Sequence, residues 1–336
     1  MTFRPVVESD LDRVLPLIAA DPLRAMTPDL FQARLRSGEY RLDRTWIAED
    51  GRTGPDHAEG ESAAPPLAVA VWWGHPGSAE PQALDCVLVL DEPGASDLTT
   101  YPDSAACLVA DLLTAAHATF AACAASADPP DWHLLLPPAW REEPAVAAAL
   151  EWRIEAARRV GLSESVERLR YEWTSAVGIS KQSGRLRFRA EPDDEVFVDL
   201  FRRVLPDTLD AASGNAAAKF GAEAQARSDV AFYRDQMSGE RSWWRVVQTS
   251  DGTPVGFGLP SRNPESPVVG YLGVLPEHRG HGYSAEILAE ITRFLAVEAG
   301  AQHIDADTDL TNVPMAAAFE RVGYRNNGRR LVLSAQ

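Results

Sequence analysis

The stretch VVGYLGVLPEHRGHGYSAEILAEITRFLAVEAG, Val268 to Gly300, limits the possible folds more than any other part of the chain. Its β-branched and aromatic residues predict a strand that ends at Pro276. A basic turn, Arg279-Gly280-His281-Gly282, follows at once. A helix then opens with Ile287, Leu288, Ile291 and Leu295 as its apolar stripe. Strand, glycine turn and helix N-terminus in direct succession make an anion trap. The glycines let backbone approach a ligand, and the first-turn N–H groups present about half a positive charge to it. The turn follows neither GxxxxGK[ST] nor GxGxxG, which argues against a P-loop and a dinucleotide fold.

Around this unit the pattern is mixed α/β. Strands are expected over Leu186–Ala190, Trp243–Thr249, Val255–Leu259, Val268–Val274, His303–Asp307 and Arg330–Leu333. Helices are expected over Glu195–Leu205, Ser284–Glu298 and Val313–Arg321, with a broken helical region from Ala211 to Met237. Asp251-Gly252 joins the second and third strands as a hairpin. Helices interspersed among strands ask for a sheet covered on its faces.

At 336 residues the chain has room for about two domains. Arg159-Val160-Gly161-Leu162 is answered by Arg321-Val322-Gly323-Tyr324, and Arg168-Leu169 by Arg330-Leu331, at one common offset. Shared order at fixed spacing predicts an internal duplication. The small polar segment SAVGISKQSG, 175–184, reads as the linker, giving an N-terminal domain over 1–174 and a C-terminal domain over 185–336. Gly51–Pro66, rich in Gly, Pro and charge, reads as a long surface loop between strands Thr45–Glu49 and Leu67–Trp73.

A formal charge of −17, with Lys181 and Lys219 the only lysines, repels phosphate backbones and anionic lipid, so neither nucleic acid nor a membrane is the expected partner. A cationic small molecule suits the chain better. Cys86, Cys107 and Cys123 show no metal spacing and read as reduced core residues. The acidic amino terminus carries no secretory signal, and no uninterrupted apolar run approaches the ~18 residues of a membrane span, so a cytoplasmic location is expected.

The trap and its surroundings resemble the GNAT superfamily of acyl-CoA-dependent N-acetyltransferases, in its tandem-domain form. That family's pyrophosphate loop runs Gln/Arg-x-x-Gly-x-Gly/Ala behind a strand ending Val-x-Pro. Arg279, Gly282 and Ser284 hold the pattern positions, behind Val274 and Pro276. A second signature, Asn before a helix ending in Gly-Phe/Tyr, reads Asn312 through Phe319 to Gly323-Tyr324. The resemblance spans about Leu186 to Leu333. It implies two domains, each a mostly antiparallel central sheet flanked by helices, with acetyl-CoA as co-substrate and no metal.

By the same resemblance, backbone near Leu272 and Val274 polarises the thioester. Arg279, Gly280, His281, Gly282, Tyr283 and Ser284 bind the pyrophosphate, and Asn312 bonds the pantetheine arm. The reaction implied is direct acyl transfer to a primary amine of a small acceptor, in a monomer or homodimer. Protein acetylation and a non-catalytic acyl-CoA-binding module are the alternatives.

One position departs from the family: Phe319 stands where many relatives carry a Tyr general acid, and a phenyl ring donates no proton. Tyr324 and Tyr283 are the nearby phenols that could replace it. Amine acylation also needs a base. In IDADTDLTN the alternation of Asp305, Asp307 and Asp309 puts three carboxylates on one strand face, offering Asp307 and Asp309 as bases. The competing reading is a solvated strand edge, with Asp309 capping the following helix. Trp243, Trp244, Phe232 and Tyr233 could wall the acceptor pocket or fill the core. In the first half, the equivalent of the loop, DEPGASDLTTYPDSAAC from Asp91 to Cys107, has four acids and no Arg, so this copy is expected to lack a CoA site. Its following helix, Ala105–Ala127, is Ala-rich and expected to pack.

Overall fold

The computed structural model describes residues 1–21, 23, 26–50, 64–90, 102–122 and 128–335. Most of the Gly51–Pro66 segment, residues 91–101 of the expected degenerate loop, and Cys123 lie outside the described residues. The chain forms two compact units, Met1–Glu167 with Arg329–Gln336, and Arg168–Gly328.

The first unit contains β1 (Thr2–Pro5), α1 (Leu11–Ala19), α2 (Pro28–Ser37), β2 (Thr45–Glu49), β3 (Ala68–Trp73) and β4 (Ala83–Val89). Next come α3 (Pro102–Ala121), β5 (Asp131–Leu136), α4 (Pro144–Arg159) and the start of β6 (Glu164–Thr174). Strands β1 to β4 are successive antiparallel neighbours, and β4 runs parallel to β5. Both faces of β3 are buried. Ala68, Ala70 and Trp72 pack with α3 and α4, while Val69 and Val71 pack with α1 and α2. That two-sided burial is why AVAVWW is uniformly apolar rather than alternating. Ser104–Ala121 in α3 is the one segment among the described residues long and apolar enough to cross a membrane. Its Ala106, Val109, Leu112, Leu113 and Ala116 are instead buried in this core.

The second unit contains β7 (Leu186–Ala190), α5 (Asp194–Val204), α6 (Ala211–Phe220), α7 (Ala222–Ala231), β8 (Arg245–Thr249), β9 (Pro254–Arg262) and β10 (Pro267–Val274). It continues with α8 (Tyr283–Val297), β11 (His303–Asp309), α9 (Val313–Val322) and the start of β12 (Arg325–Ser334). Strands β7 to β10 are antiparallel neighbours and β10 lies parallel to β11. Helices α5 and α7 cover one face; α8 and α9 cover the other. The α8 stripe of Ile287, Leu288, Ile291 and Leu295 is buried to 3% exposure or less, each residue contributing roughly 2 kcal/mol of transfer free energy.

The unit limits differ from a division at 174/185. Arg168–Thr174 of β6 pairs antiparallel with His303–Asp309 and so belongs to the second unit. Arg329–Leu333 of β12 pairs with β5 and belongs to the first. Nor is 175–184 a free tether: Ser175 N donates to Gln302 O at 2.9 Å and Ser180 Oγ to Val322 O at 3.0 Å. Composition marks a polar segment but does not reveal which backbone groups will take its hydrogen bonds.

Candidate functional site

Strands β10 and β11 pair only at Val268↔Asp305 and then part. A bulge at Gly270 shifts the β10 register against β9 between Val269 and Tyr271, and bulges of this kind redirect a strand. Leu275 N donates to Val255 O at 2.9 Å. By antiparallel alternation, Tyr271 and Gly273 therefore face β9, while the peptide groups of Leu272 and Val274 face the opening. Gly270 is required here because a Cβ would lie 2.8 Å from Leu259 O and 3.3 Å from Tyr233 Cε1. Tyr233 Oη donates to the Gly270 carbonyl at 2.9 Å.

The turn after β10 carries positive φ at Gly280 (81°) and Gly282 (75°), with Gly282 as N-cap of α8. Only glycine adopts these angles without strain. A Cβ on Gly280 would meet nothing within 4 Å, and one on Gly282 only Arg321 Nη1 at 3.8 Å. Space therefore lies in front of the turn, and α8 presents its unpaired first-turn amides beside it. This geometry fits a pyrophosphate. Arg279 also braces the turn through its side chain. Its guanidinium donates to the carbonyls of Val274 (3.3 Å), Pro206 (3.2 Å), Asp207 (3.3 Å) and Val204 (2.9 Å), clamping the turn to the end of α5.

A cleft of about 670 Å³ runs from this turn along the opening between β10 and β11. Leu272, Val274, Arg279, Gly280, Gly282, Tyr283, Ser284, Asp307 and Asn312 line it. His281, Asp309 and Tyr324 do not. Exposed His281 sits at the rim, its carbonyl accepting from Arg185 Nη2 at 3.3 Å. Asn312 is the N-cap of α9, its Oδ1 accepting from Met315 N at 3.3 Å, which leaves the amide NH₂ as its donor.

Two expected catalytic residues are placed elsewhere. Tyr324 is 3% exposed, and its hydroxyl bonds Thr292 Oγ1 at 2.9 Å beneath Phe319. Burial pushes the phenol well above its ordinary value. It cannot deliver a proton to the cleft. Asp309 is likewise 3% exposed, with Oδ2 accepting from Ala211 N at 2.6 Å and Oδ1 lying 3.3 Å from Arg168 Nε. It holds the first turn of α6 and is a structural anchor. The Asp309 cap expected for α9 is absent because Asn312 occupies that role. Of the four proposed pocket aromatics, Phe232 and Tyr233 line the cleft. Trp244 is buried in the core, and Trp243 packs on Phe294.

Sequence reasoning missed Asp229 on the last turn of α7. It lines the cleft beside Tyr233 and Tyr271. Its Oδ1 accepts from Gln225 Nε2 at 2.8 Å, and among the described residues its buried Oδ2 has no partner. Desolvation pushes the carboxyl up to about 7, with the nearby Asp210 charge adding to the rise and Gln225 opposing it. Also missed was Arg168, which lines the cleft and joins Asp309 to Asp210 (3.5 Å). Burial works against its charge, but Asp210, Asp307 and Asp309 outweigh it and raise the guanidinium. No local pattern marks Asp229, since α7 reads as an ordinary polar helix, and Arg168 on β6 stood out only as part of the internal repeat.

Residues 215–324 match the sequence model of the acetyltransferase (GNAT) family. The second unit carries a GNAT acetyltransferase domain. Membership of that domain in the family implies acyl transfer from acyl-CoA. No curated protein matches the chain. Among solved structures, the GCN5-related N-acetyltransferase from Sphaerobacter thermophilus is 15% identical, with a TM-score of 0.58 over 98% of this chain and 94% of that one. The glucosamine N-acetyltransferase region of a fungal multi-domain GH3 β-N-acetylglucosaminidase is 12% identical, with a TM-score of 0.50 over 98% of this chain and 38% of that one. At such identities the likeness is one of fold, and with the first it extends over both units.

The first unit has the same parting of parallel strands, with β4 and β5 pairing only at Ala83↔Asp131 and Leu84↔Trp132. Leu90 N donates to Leu67 O at 2.8 Å, so alternation turns the Val87 peptide toward β5. Arg153, 1% exposed on α4, donates there, from Nη2 to Val87 O at 2.9 Å and from Nη1 to Ala149 O at 2.8 Å. At the offset that aligns Arg159 with Arg321, its counterpart is Met315, which lines the second unit's cleft. The GNAT domain is open where the first unit is filled by a buried guanidinium.

Proposed function

We propose that the second unit transfers an acetyl group from acetyl-CoA to the primary amine of a small cationic acceptor, by direct attack in a ternary complex. The observation that carries this reading is a single cleft with chemically opposite ends. One end is the Gly280–Ser284 turn, whose amides suit a pyrophosphate. The other is lined by Asp210, Asp229 and Asp307, which favour a cation. Between them the Leu272 and Val274 peptides and the Asn312 amide face the path of the pantetheine arm, where an N–H can stabilise charge developing on the thioester oxygen. Arg279 supports the turn through carbonyls, and His281 contributes through backbone. On this reading the first unit is a GNAT-like copy without a donor site, its gap filled by Arg153.

A second reading, an acyl-CoA-binding module without turnover, is favoured by Phe319 at the usual acid position and by the burial of Tyr324. Two measurements separate the readings. Calorimetry with acetyl-CoA should show binding that Gly282→Glu abolishes, because the substitution forces a side chain and a negative charge into left-handed backbone facing the phosphates. Unchanged affinity in that variant would refute the loop assignment. Thiol release from acetyl-CoA should then appear with at least one of an amino sugar, a polyamine, an aminoglycoside or a peptide N-terminus. Tight donor binding with no release across that panel supports the module.

A further inference from the structure

We propose that Asp229 receives the acceptor's ammonium group and takes its proton, making this helix-borne aspartate, rather than the carboxylates of β11, the base of the reaction. The inference rests on the acyl-transfer reading above. It follows from what each carboxylate near the acidic end already does. Asp309 is committed to Ala211 N and Arg168. Asp210 caps α6 by accepting from Ser213 N at 2.8 Å and lies 3.5 Å from Arg168. Asp307 lies 3.8 Å from Arg170 Nε and within the field of Arg168.

Asp229 differs because, among the described residues, its side chain is hydrogen-bonded by the neutral Gln225 and its second oxygen is buried without a partner. A buried carboxylate oxygen left unpaired is costly, and a ligand bringing an N–H donor relieves that cost. The groups facing it are Gln225 from α7, Asp210 ahead of α6, Tyr233 after α7, and Tyr271 from β10; Arg168 from β6 acts on the same cluster. Both phenols are pushed above their ordinary values by burial and stay neutral. Phe232, Tyr233 and Tyr271 add ring surface beside the charge, so the acceptor class is a primary alkylammonium carried next to an apolar or ring-shaped portion.

The step balances as follows. The ammonium R–NH₃⁺ gives one proton to the Asp229 carboxylate and becomes R–NH₂. Its lone pair forms the C–N bond at the thioester carbonyl, and the C–S bond breaks with its electron pair staying on sulfur. The second nitrogen proton passes to the thiolate, giving CoA–SH and the amide, and Asp229 returns its proton to solvent.

The test compares Asp229→Asn, Asp229→Glu and Asp307→Asn in the full chain, using glucosamine and n-butylamine as probe acceptors and thiol release as readout. Asp229→Asn should lower kcat/KM by about 100-fold or more, with acetyl-CoA affinity within twofold of wild type. The wild-type rise of kcat/KM through about pH 7 should vanish in that variant, and Asp229→Glu should recover part of the rate. A structural role alone would leave the pH profile in place. Wild-type kinetics and profile in Asp229→Asn, with Asp307→Asn impaired instead, overturn the assignment while leaving the transferase standing. Loss of acetyl-CoA binding in wild type, or no release with either probe, overturns the reaction and this proposal with it.

Discussion

The Asp229 carboxyl makes stability depend on pH in a direction opposite to that of most native carboxylates. Desolvation raises it from the usual 3.8 to about 7, so the folded chain binds a proton that the unfolded chain has already released. Stability from this group is therefore intact below about pH 4 and is lost as pH rises toward 7. The rise spans about three pH units, or about 4 kcal/mol at 1.36 kcal/mol each, as an upper limit. Linkage puts about 2.5 kcal/mol of that change between pH 5 and pH 8. Asp229→Asn removes the titration while keeping an oxygen for Gln225. Its new amide donor lacks a partner, a pH-independent cost of about 1–3 kcal/mol. The variant should thus gain on wild type by about 2.5 kcal/mol between pH 5 and pH 8. Urea unfolding followed by tryptophan fluorescence at pH 5, 6, 7 and 8 measures the difference. A difference that stays flat across this range would refute the desolvation argument.

Three other outcomes are expected. Tyr324→Phe should keep kcat within twofold of wild type, because the hydroxyl faces Thr292, and should cost about 1 kcal/mol in thermal unfolding; a loss of turnover without a change in acetyl-CoA affinity would reinstate it as the acid. Asp309→Ala leaves Ala211 N without its acceptor and takes from Arg168 one of its carboxylate partners and should destabilise the chain by about 2 kcal/mol, a cost that thermal melting would expose as absent if Asp309 were an exposed acceptor ligand. A fragment of residues 185–336 lacks the β6 partner of β11 and should aggregate in size-exclusion chromatography, whereas 168–328 should elute as a folded species that binds acetyl-CoA; equal behaviour of the two would count against the unit limits.

Local signals made much of the fold legible. Valine and aromatic residues marked β8 through β10, and the periodic apolar stripe marked α8, because burial of one face imposes a repeat that any window of sequence displays. Gly280 and Gly282 revealed the turn because positive φ narrows the choice of residue at those positions. The cap of α9 was not legible in this way: the sequence offered Asp309 for it, whereas Asn312 holds it. The candidate site was legible only where it is built from backbone.

Its side-chain chemistry was not. Asp307 and Asp309 look equivalent in IDADTDLTN, yet one lines the cleft and the other is buried against α6. Arg279 sits in the expected motif position but spends its donors on carbonyls from the end of α5, about seventy residues earlier in the chain.

What the sequence alone determined is the order of strands and helices through most of the second half and the glycine turn at the head of α8, since each depends on torsions and contacts among residues close in the chain. Tertiary structure decided which strand completes each sheet, that Arg153 fills the first unit's gap, and that Asp229 has, among the described residues, an unpaired oxygen at the cleft. Hydrogen-bond partners and desolvation come from residues brought together across long stretches of chain, and they set the chemistry of a charged group more strongly than its neighbours in sequence do.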